Sequence, residues 1–352
     1  MISTLFDFLM RMLVVLAVIM ASGSSALAGE VFHWRLGSPV SPGDPFEEVL
    51  AKYAKEVEER TAGRMDIEVV AIKPLGFKPA DSLRILRQGV LEAMFIFPQY
   101  AARDEPLLAA LMPQGGLLNM NDNLKIIEIQ TKIAQEILSG WGMTAITRLT
   151  DTRSASFVIA SKRPINSLEE MQRVKLRHFT KLGINAFNQL GVATQYIPSS
   201  DLFLAIKMGI VDATVYSPSY IRSQSIYEAT CCFSEMGYYT LATPSVVAAN
   251  NNVWMKLPAD LRTIMREVGQ EMFDKDIKIA MSRANEAPII SFLKEKGMRV
   301  LPPFSRADRM QIQEALFAVW EDQCNQLGPK ATSFRKRILQ ELEVEGTDIK
   351  PN

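Results

Sequence analysis

The chain has 352 residues, of which 48% are hydrophobic and 22% are charged, and its 39 Lys and Arg residues balance 39 Asp and Glu residues. A formal net charge of zero argues against a nucleic-acid partner, a polyanionic substrate and electrostatic binding to a membrane surface. Two histidines and three cysteines leave little material for a histidine-rich metal site or a catalytic triad, which disfavours most common enzyme classes.

The first 28 residues have the pattern of a targeting segment. Arg11 precedes an apolar run at 12–21, and small residues follow it up to Ala26-Leu27-Ala28. This pattern predicts a secretory signal peptide cut after Ala28. The run is about half the length that a membrane span needs. Asp7 is atypical of such a segment, so an uncleaved anchor is the alternative to an exported, soluble protein.

From Glu30 onward, short apolar strands alternate with amphipathic helices, which is typical of α/β layers around a largely parallel sheet. A strand at 32–36 precedes a helix that Asp44 caps. Further strands are predicted at 65–69, 93–97, 144–149, 156–161, 174–179, 194–197, 211–216 and 298–301. Further helices are predicted at 81–89, 121–140, 181–190 and 200–209.

The pattern changes after Pro258. A helical pattern runs from there towards Gly297 with Pro288 as its only strong breaker, which is too long for one core helix of a small domain. It therefore predicts an element that bridges two lobes. Another helix is predicted up to Gly328, and the tail from Lys330 is polar and is expected to be peripheral.

The cysteines allow two interpretations. Cys231 and Cys232 are adjacent, and Cys324 is distant in the sequence. One long-range disulfide is possible in an oxidising compartment, but three unpaired thiols fit equally well. The sequence has no C-x-x-C pair, which argues against a zinc site or a redox motif.

Scarce nucleophiles in an exported two-lobed α/β chain favour a ligand-binding protein over an enzyme. Ligands of open α/β sheets bind at the carboxyl ends of the strands. The segments that end predicted strands offer one well-placed cation, several hydroxyls and amides, and aromatic rings; they are 38–44, 97–103, 177–181, 198–201 and 216–220.

The central third of the chain carries an ordered series of motifs. They are Ser161-Lys162-Arg163-Pro164-Ile165, Ser167-Leu168-Glu169-Glu170-Met171, Val174-Lys175-Leu176-Arg177, and 200–209 followed by Val211-Asp212-Ala213. With matching segments on both sides, over roughly 31–328, the series resembles the solute-binding proteins of tripartite ATP-independent periplasmic (TRAP) transporters, of the dicarboxylate-binding type. The resemblance implies a two-lobed periplasmic-binding-protein fold with hinge strands, a long bridging helix and a ligand cleft between two α/β lobes. Lobe I is expected at 29–152 plus 240–283, lobe II at 153–239 plus 284–328, and a polar C-terminal tail at 329–352.

The resemblance also implies a carboxylate-binding residue. In that family the arginine at the end of the Lys-Leu-Arg strand forms a salt bridge with the ligand, and here it is Arg177. A planar guanidinium matches the two oxygens of a carboxylate. An ordinary ion pair is the alternative use of Arg177. A second arginine of many relatives is replaced here by Phe157. Arg153 is a further candidate for contact with the ligand, but it lies four residues earlier, about 13 Å away along a strand, and cannot simply take over that role.

The remaining candidates shape the expected pocket. Aromatic residues around a single certain cation favour a monocarboxylate with an apolar or aromatic body over a small dicarboxylate, although core packing is the alternative role of each ring. These residues are Phe157, Phe179, Tyr216 and Tyr100. Gln99 and Ser217 are candidate hydrogen-bonding residues. Val215 replaces a carboxylate that some relatives use to hold a bound cation, so no metal is expected, and no cofactor is predicted either. His178 should point away from the Arg177 face of its strand.

The predicted function is that of a periplasmic solute-binding protein. It would capture an organic acid between two lobes and deliver it to the membrane subunits of a TRAP permease. An extracytoplasmic sensor with the same ligand trap is the alternative. An exported enzyme is disfavoured, because neither histidine has an evident acidic or serine partner in the sequence.

Overall fold

The computed structural model describes residues 30–40, 44–111, 115, 117, 120–150, 156–239 and 245–343. The predicted signal peptide and Arg153 lie outside the described residues. No helix within these ranges is both long and apolar enough to cross a bilayer.

The strands of the described ranges form two sheets. Their bounds are β1 (Phe32–Ser38), β2 (Met65–Ala71), β3 (Ala93–Ile96), β4 (Met143–Arg148), β5 (Ser156–Ser161), β6 (Lys175–His178), β7 (Ala193–Tyr196), β8 (Ala213–Tyr216), β9 (Cys232–Tyr239), β10 (Val246–Asn250) and β11 (Arg299–Val300). One sheet has five strands in the order β2-β1-β3-β10-β4, and the other has six in the order β11-β9-β5-β8-β6-β7.

Both sheets are mixed rather than largely parallel. β1 is parallel to β2 and β3, and β6 is parallel to β7 and β8. In contrast, β10 and β5 each run antiparallel to both of their neighbours. β5 follows β4 of the other sheet, and β10 follows β9 of the other sheet. At these two crossings the chain enters the other sheet antiparallel to its new neighbours, whereas β11, which also follows a strand of the other sheet, is parallel to β9. Alternating strands and helices do not reveal this change of direction.

Helices cover the faces of both sheets. They are α1 (Pro45–Arg60), α2 (Ser82–Arg87), α3 (Pro98–Ala101), α4 (Met120–Ser139), α5 (Leu168–Met171), α6 (Lys181–Gln189), α7 (Ser199–Lys207), α8 (Pro218–Ser223), α9 (Asn251–Trp254), α10 (Ala259–Ser282), α11 (Glu286–Glu295), α12 (Arg306–Leu327) and α13 (Pro329–Glu343). Short 3-10 helices lie at Pro79–Asp81, Pro106–Ala110 and Ile226–Glu228.

The packing of α1 fixes the position of Asp44, which caps this helix. Asp44 Oδ1 accepts a hydrogen bond from Phe46 N at 2.9 Å, which confirms the predicted cap. Leu50, Tyr53 and Val57 are fully buried in a core of the five-stranded sheet. Because each such side chain contributes about 1.5–3 kcal/mol on burial, this stripe holds α1, and Asp44 with it, at that sheet.

The long helical pattern after Pro258 is two helices, and the break lies at Arg283 rather than at Pro288. Arg283 ends α10 with a left-handed φ of 54°. Pro288 lies in the first turn of α11, where the N–H that it lacks would have no helical partner. The Arg283 guanidinium bonds Glu286 at 2.5 Å and also bonds Glu235, and these charge-assisted contacts hold the corner.

The two helices bridge the sheets as predicted. α10 buries Leu261 and Met265 in a core of the five-stranded sheet, whereas α11 buries Ile289 and Leu293 in a core of the six-stranded sheet. The corner at Arg283 therefore lies between segments that pack on different sheets.

α12 also spans both cores, which the sequence did not predict. Its first half buries Ile312 and Leu316 against the six-stranded sheet, and its second half buries Trp320 and Cys324 against the five-stranded sheet. Trp320 Nε1 donates to the Ala110 carbonyl at 3.0 Å. A single helix thus packs into two cores.

The expectation of a peripheral polar tail is wrong for residues 329–343. They form α13, whose apolar residues recur at helical spacing and pack into a core of the five-stranded sheet: Ala331, Phe334, Ile338, Leu339 and Leu342. The polar composition of the segment hides this stripe, because most of its other positions face solvent.

Candidate functional site

A cavity lies between the two sheets, where strand ends and helix beginnings converge. Its volume is about 130 Å³. β1, β3 and β4 lead to its wall from the five-stranded sheet, and β5, β6 and β8 form or lead to its wall in the six-stranded sheet. The lining residues are Val40, Asp44, Phe46, Phe97, Gln99, Tyr100, Leu149, Thr150, Phe157, Arg177, Phe179, Ser199, Tyr216, Ser217, Tyr220 and Ser245.

Arg177 places a buried cation in this cavity. Its side chain is 1% exposed, its Nε donates to the Ile197 carbonyl at 3.0 Å, and its Nη1 lies 3.5 Å from the Val215 carbonyl. Within the described part of the chain, no carboxylate lies at ion-pair distance from the guanidinium. Burial lowers the pKa of Arg177, which reflects the cost of holding this charge away from water. A ligand anion would offset that cost.

Aromatic rings surround the guanidinium. Its central carbon lies 5.0 Å from the ring centre of Tyr216 and 5.7 Å from that of Phe179. Phe157 packs against Phe179 at 4.9 Å between ring centres, and Tyr220 stacks on Tyr216 at 4.8 Å. These rings give the cavity apolar walls and contribute modest cation–π attraction to Arg177.

Two buried polar atoms of the cavity residues have no hydrogen-bond partner in the described structure. They are Gln99 Oε1 and Ser245 Oγ. An unsatisfied buried polar group costs about 1–3 kcal/mol. Burial also raises the pKa of Tyr216, so its hydroxyl stays protonated and can donate. The cavity therefore offers unused hydrogen-bonding capacity on the side of the five-stranded sheet, since Gln99 follows β3 and Ser245 precedes β10.

Asp44 and Tyr220 join the two walls of the cavity. The Tyr220 hydroxyl donates to Asp44 Oδ1 at 2.8 Å. Asp44 caps α1 on the five-stranded sheet, whereas Tyr220 belongs to α8 on the six-stranded sheet. Burial and the neighbouring Asp44 carboxylate raise the pKa of Tyr220 well above its ordinary value, which keeps the hydroxyl a donor.

His178 lies behind Arg177, on the opposite face of β6, as strand alternation predicts. Its Nδ1 accepts from Thr180 N at 3.1 Å, so the ring proton is on Nε2, which lies 3.0 Å from the Tyr238 hydroxyl. Burial lowers the pKa of His178 to about 3. A Cβ on Gly183 would lie 2.1 Å from this ring, so only glycine leaves room for it. His178 is a neutral structural residue.

The structure brings most of the predicted site residues together. Seven of them line the one cavity: Arg177, Tyr216, Phe179, Phe157, Gln99, Tyr100 and Ser217. Arg153 lies outside the described residues. No group of three or more potential metal-ligating side chains occurs in the described ranges.

Other lining residues were not named individually as site residues. Asp44 and Tyr220 belonged to the segments 38–44 and 216–220 that end predicted strands, and Asp44 was interpreted mainly as a helix cap, with a contact in the cleft as the alternative. Phe97 opens the candidate segment 97–103, whereas Phe46 was interpreted as part of the apolar stripe of its helix. Ser245 carries no sequence signal for the site, and the structure places it in the cavity wall directly before β10.

The comparison with known families decides the class of the protein. Residues 36–327 match the family described as bacterial extracellular solute-binding protein, family 7 (DctP). The chain belongs to this family. Family 7 proteins include solute-binding proteins of TRAP transporters, so the resemblance stated from the sequence motifs is confirmed.

Two curated relatives show how far the similarity extends. The uncharacterised protein y4mM of Sinorhizobium fredii is 25% identical over 301 residues, which are 79% of this chain and 48% of that relative, so the chain spans about half its length. The C4-dicarboxylate-binding periplasmic protein DctP of Rhodobacter capsulatus is 24% identical over 314 residues, covering 86% of this chain and 89% of the relative.

A solved structure shows the same fold. It is a TRAP solute-binding protein from an unidentified microbe of a marine metagenome, described as specific for pyroglutamate. It superposes with a TM-score of 0.72 at 16% identity, covering 89% of this chain and 100% of the other. The predicted two-lobed α/β periplasmic-binding fold is thus confirmed. The family consists of extracytoplasmic solute-binding receptors rather than enzymes.

Proposed function

We propose that this family 7 protein captures a small monocarboxylate in the periplasm and delivers it to the membrane subunits of a TRAP permease. The observation that carries the proposal is Arg177, a guanidinium that is 1% exposed, lines the cavity and has no carboxylate partner in the described structure. A buried cation without a counter-charge is costly, and a ligand carboxylate supplies both the charge and a bidentate hydrogen-bond acceptor.

The walls of the cavity favour one carboxylate over two. Arg177 is the lining cation among the described residues. The resemblance implies a second arginine in many relatives at the position of Phe157. The curated relative of Rhodobacter capsulatus is named for C4-dicarboxylates, whereas the marine protein is described as specific for pyroglutamate, a monocarboxylate. The aromatic rings of Phe157, Phe179 and Tyr216 favour a monocarboxylate. A second carboxylate on the ligand would lose its hydration against these rings without gaining a cation.

The polar atoms opposite Arg177 suggest a further feature of the ligand. Gln99 Oε1 is buried and accepts no hydrogen bond within the described chain. A ligand N–H or O–H group would satisfy it, so acids that carry a donor near the carboxylate, such as lactam acids and hydroxy acids, are the favoured candidates.

Capture would use the two lobes expected from the sequence, 29–152 plus 240–283 and 153–239 plus 284–328. Arg177 lies on the six-stranded sheet and Gln99 follows a strand of the five-stranded sheet, so a ligand that contacts both would stabilise the closed arrangement. A ligand shifts such an equilibrium only through contacts that differ between the open and closed states. Release then requires the permease to favour the open state.

A thermal-shift screen tests the proposal. Protein freed of ligand by unfolding and refolding is mixed with a panel of monocarboxylic and dicarboxylic acids that includes pyroglutamate and succinate. A ligand at 100 times its Kd should add about 2.7 kcal/mol of stability, and the shift should vanish in Arg177→Ala. Arg173→Ala, which removes an exposed arginine paired with Glu169, is the matched control and should keep the shift.

Two results would contradict the proposal. If no acid stabilised the protein, the ligand would not be a carboxylate. If succinate bound much more tightly than every monocarboxylate, the proposed preference for monocarboxylates would be wrong. Transport is tested in cells by uptake of the labelled acid, which should require both this protein and the permease subunits.

A further inference from the structure

Two adjacent cysteine side chains meet at the beginning of β9, outside the cavity. Cys231 precedes the strand and Cys232 is its first residue, and their Sγ atoms are 2.6 Å apart. Neither residue lines the cavity. The separation is only about half an ångström longer than a disulfide bond of ~2.05 Å.

This meeting of thiols departs from regular strand geometry. Successive side chains of a strand point to opposite faces of the sheet, which keeps neighbouring thiols apart. Cys231 lies in a bend before the strand, where this alternation does not apply. The backbone is held on both sides, because Cys231 N donates to the Ser161 carbonyl at 2.8 Å and Arg299 N donates to the Cys231 carbonyl at 2.9 Å. The sheet therefore holds the two thiols together.

The surroundings give the two sulfurs different roles. Cys231 is half-buried, and its Sγ lies 3.8 Å from Arg299 Nη2. Cys232 is fully buried, and burial raises the pKa of its thiol to about 11. Cys231 is thus the sulfur that an outside reagent can reach, and Cys232 is the sulfur positioned to attack it afterwards.

We propose that Cys231 and Cys232 form a vicinal disulfide when the folded protein meets a disulfide oxidant, either a protein dithiol–disulfide oxidase or a small-molecule disulfide. The Cys231 thiolate attacks one sulfur of the oxidant, and the other sulfur of the oxidant leaves. The Cys232 sulfur then attacks Cys231 Sγ and releases the oxidant sulfur that was bound to it. Two S–H bonds are lost and one S–S bond forms, while two electrons and two protons pass to the oxidant, which ends as two thiols.

Such a bond should be easy to reduce. Consecutive Cα atoms are about 3.8 Å apart, below the usual disulfide range of ~4.4–6.8 Å, so the ring is strained. A strained disulfide is more reducible than a relaxed structural one. The site is therefore expected to cycle between the dithiol and the disulfide rather than remain permanently oxidised.

Trypsin separates the relevant cysteines, which makes the test direct. Cleavage after Arg222 and Lys256 gives a peptide of residues 223–256 with both adjacent cysteines, and cleavage after Arg309 and Lys330 gives a peptide with Cys324. The folded protein is treated with oxidised glutathione, alkylated with iodoacetamide and digested. We expect peptide 223–256 to be lighter than its dithiol form by two hydrogen atoms and to accept two alkyl groups only after mild reduction.

Serine variants of the three cysteines show which of them form the disulfide. Cys231→Ser and Cys232→Ser should each abolish the mass loss, and Cys324→Ser should leave it unchanged. Three results would overturn the proposal: double alkylation of peptide 223–256 without reduction, stable attachment of glutathione to that peptide, or a disulfide link between it and the peptide that contains Cys324.

Discussion

The Tyr220 hydroxyl donates to the Asp44 carboxylate at 2.8 Å, and this bond connects a helix on the six-stranded sheet to the cap of a helix on the five-stranded sheet. The bond exists only when the two walls of the cavity are close together. Removing it with Tyr220→Phe should therefore weaken ligand binding, because the closed state loses a hydrogen bond to a charged group. We expect a loss of roughly 10- to 100-fold in affinity by calorimetry.

Tyr227→Phe is the matched control for that experiment. Tyr227 packs against Phe292 away from the cavity, so its hydroxyl should not affect binding. Equal affinities of Tyr220→Phe and the wild-type protein would show that the bond contributes equally to the open and closed states.

Gln99 should select ligands by their hydrogen-bond donors. Its buried Oε1 has no partner in the described structure, so it can accept from a ligand N–H group. Gln99→Met should weaken the binding of pyroglutamate roughly 2- to 12-fold and leave cyclopentanecarboxylate, which lacks the lactam N–H, unaffected. Gln88→Met changes an exposed glutamine and should alter neither affinity. Equal losses for both acids would contradict donor recognition by Gln99.

His178 should make the stability of the protein depend on pH. Its pKa in the folded state is about 3, against 6.5 for an ordinary histidine. Below pH 6.5 the unfolded chain binds a proton that the folded protein does not bind, so this contribution to stability is complete above pH 6.5 and is lost as the pH falls towards 3. The slope reaches about 1.4 kcal/mol per pH unit.

The measurement compares urea unfolding of the wild-type protein and His178→Gln between about pH 5 and 7.5. The difference in unfolding free energy between the two proteins should narrow as the pH falls and be constant at the upper end of the range. Parallel curves over the whole range would mean that His178 takes up its proton in the folded protein as readily as in the unfolded chain.

The C-terminal helix should be part of the stability of the fold. Phe334 is 3% exposed and packs into a core of the five-stranded sheet. Phe334→Ala should lower the free energy of unfolding by about 3–5 kcal/mol, whereas Lys336→Ala, at an exposed position of the same helix, should change it by about 0.5 kcal/mol or less. An unaffected Phe334→Ala protein would mean that the tail is peripheral after all.

Much of the fold could be predicted from local patterns. The α1 stripe and the Asp44 cap are set by residues close together in the sequence, and the structure confirms both. The antiparallel entry of β5 and β10 could not be predicted, because strand direction depends on which distant strand is the neighbour. The break at Arg283 was assigned to Pro288, since a left-handed arginine held by ion pairs has no local signature comparable to proline.

The site shows the same division. Seven predicted residues line one cavity because most of them lie at or just after the end of a strand, and Phe157 lies at the beginning of β5, whose position the motifs indicate. Tyr220 was predicted only as part of the segment 216–220 and Ser245 not at all, since their place in the site depends on how the two sheets face each other. The meeting of Asp44 and Tyr220, which are 176 positions apart, is a property of the assembled fold alone.

The path of α12 through both cores has a consequence for cooperativity. Ile312 and Trp320 lie on one continuous helix but belong to different cores. If either sheet unfolded, it would expose part of the helix on which the other sheet also packs. Two sheets in one chain could otherwise unfold in two separate transitions. Here heat or denaturant should unfold both sheets in a single transition, and the part of the chain that forms one sheet should not fold when it is expressed without the other part.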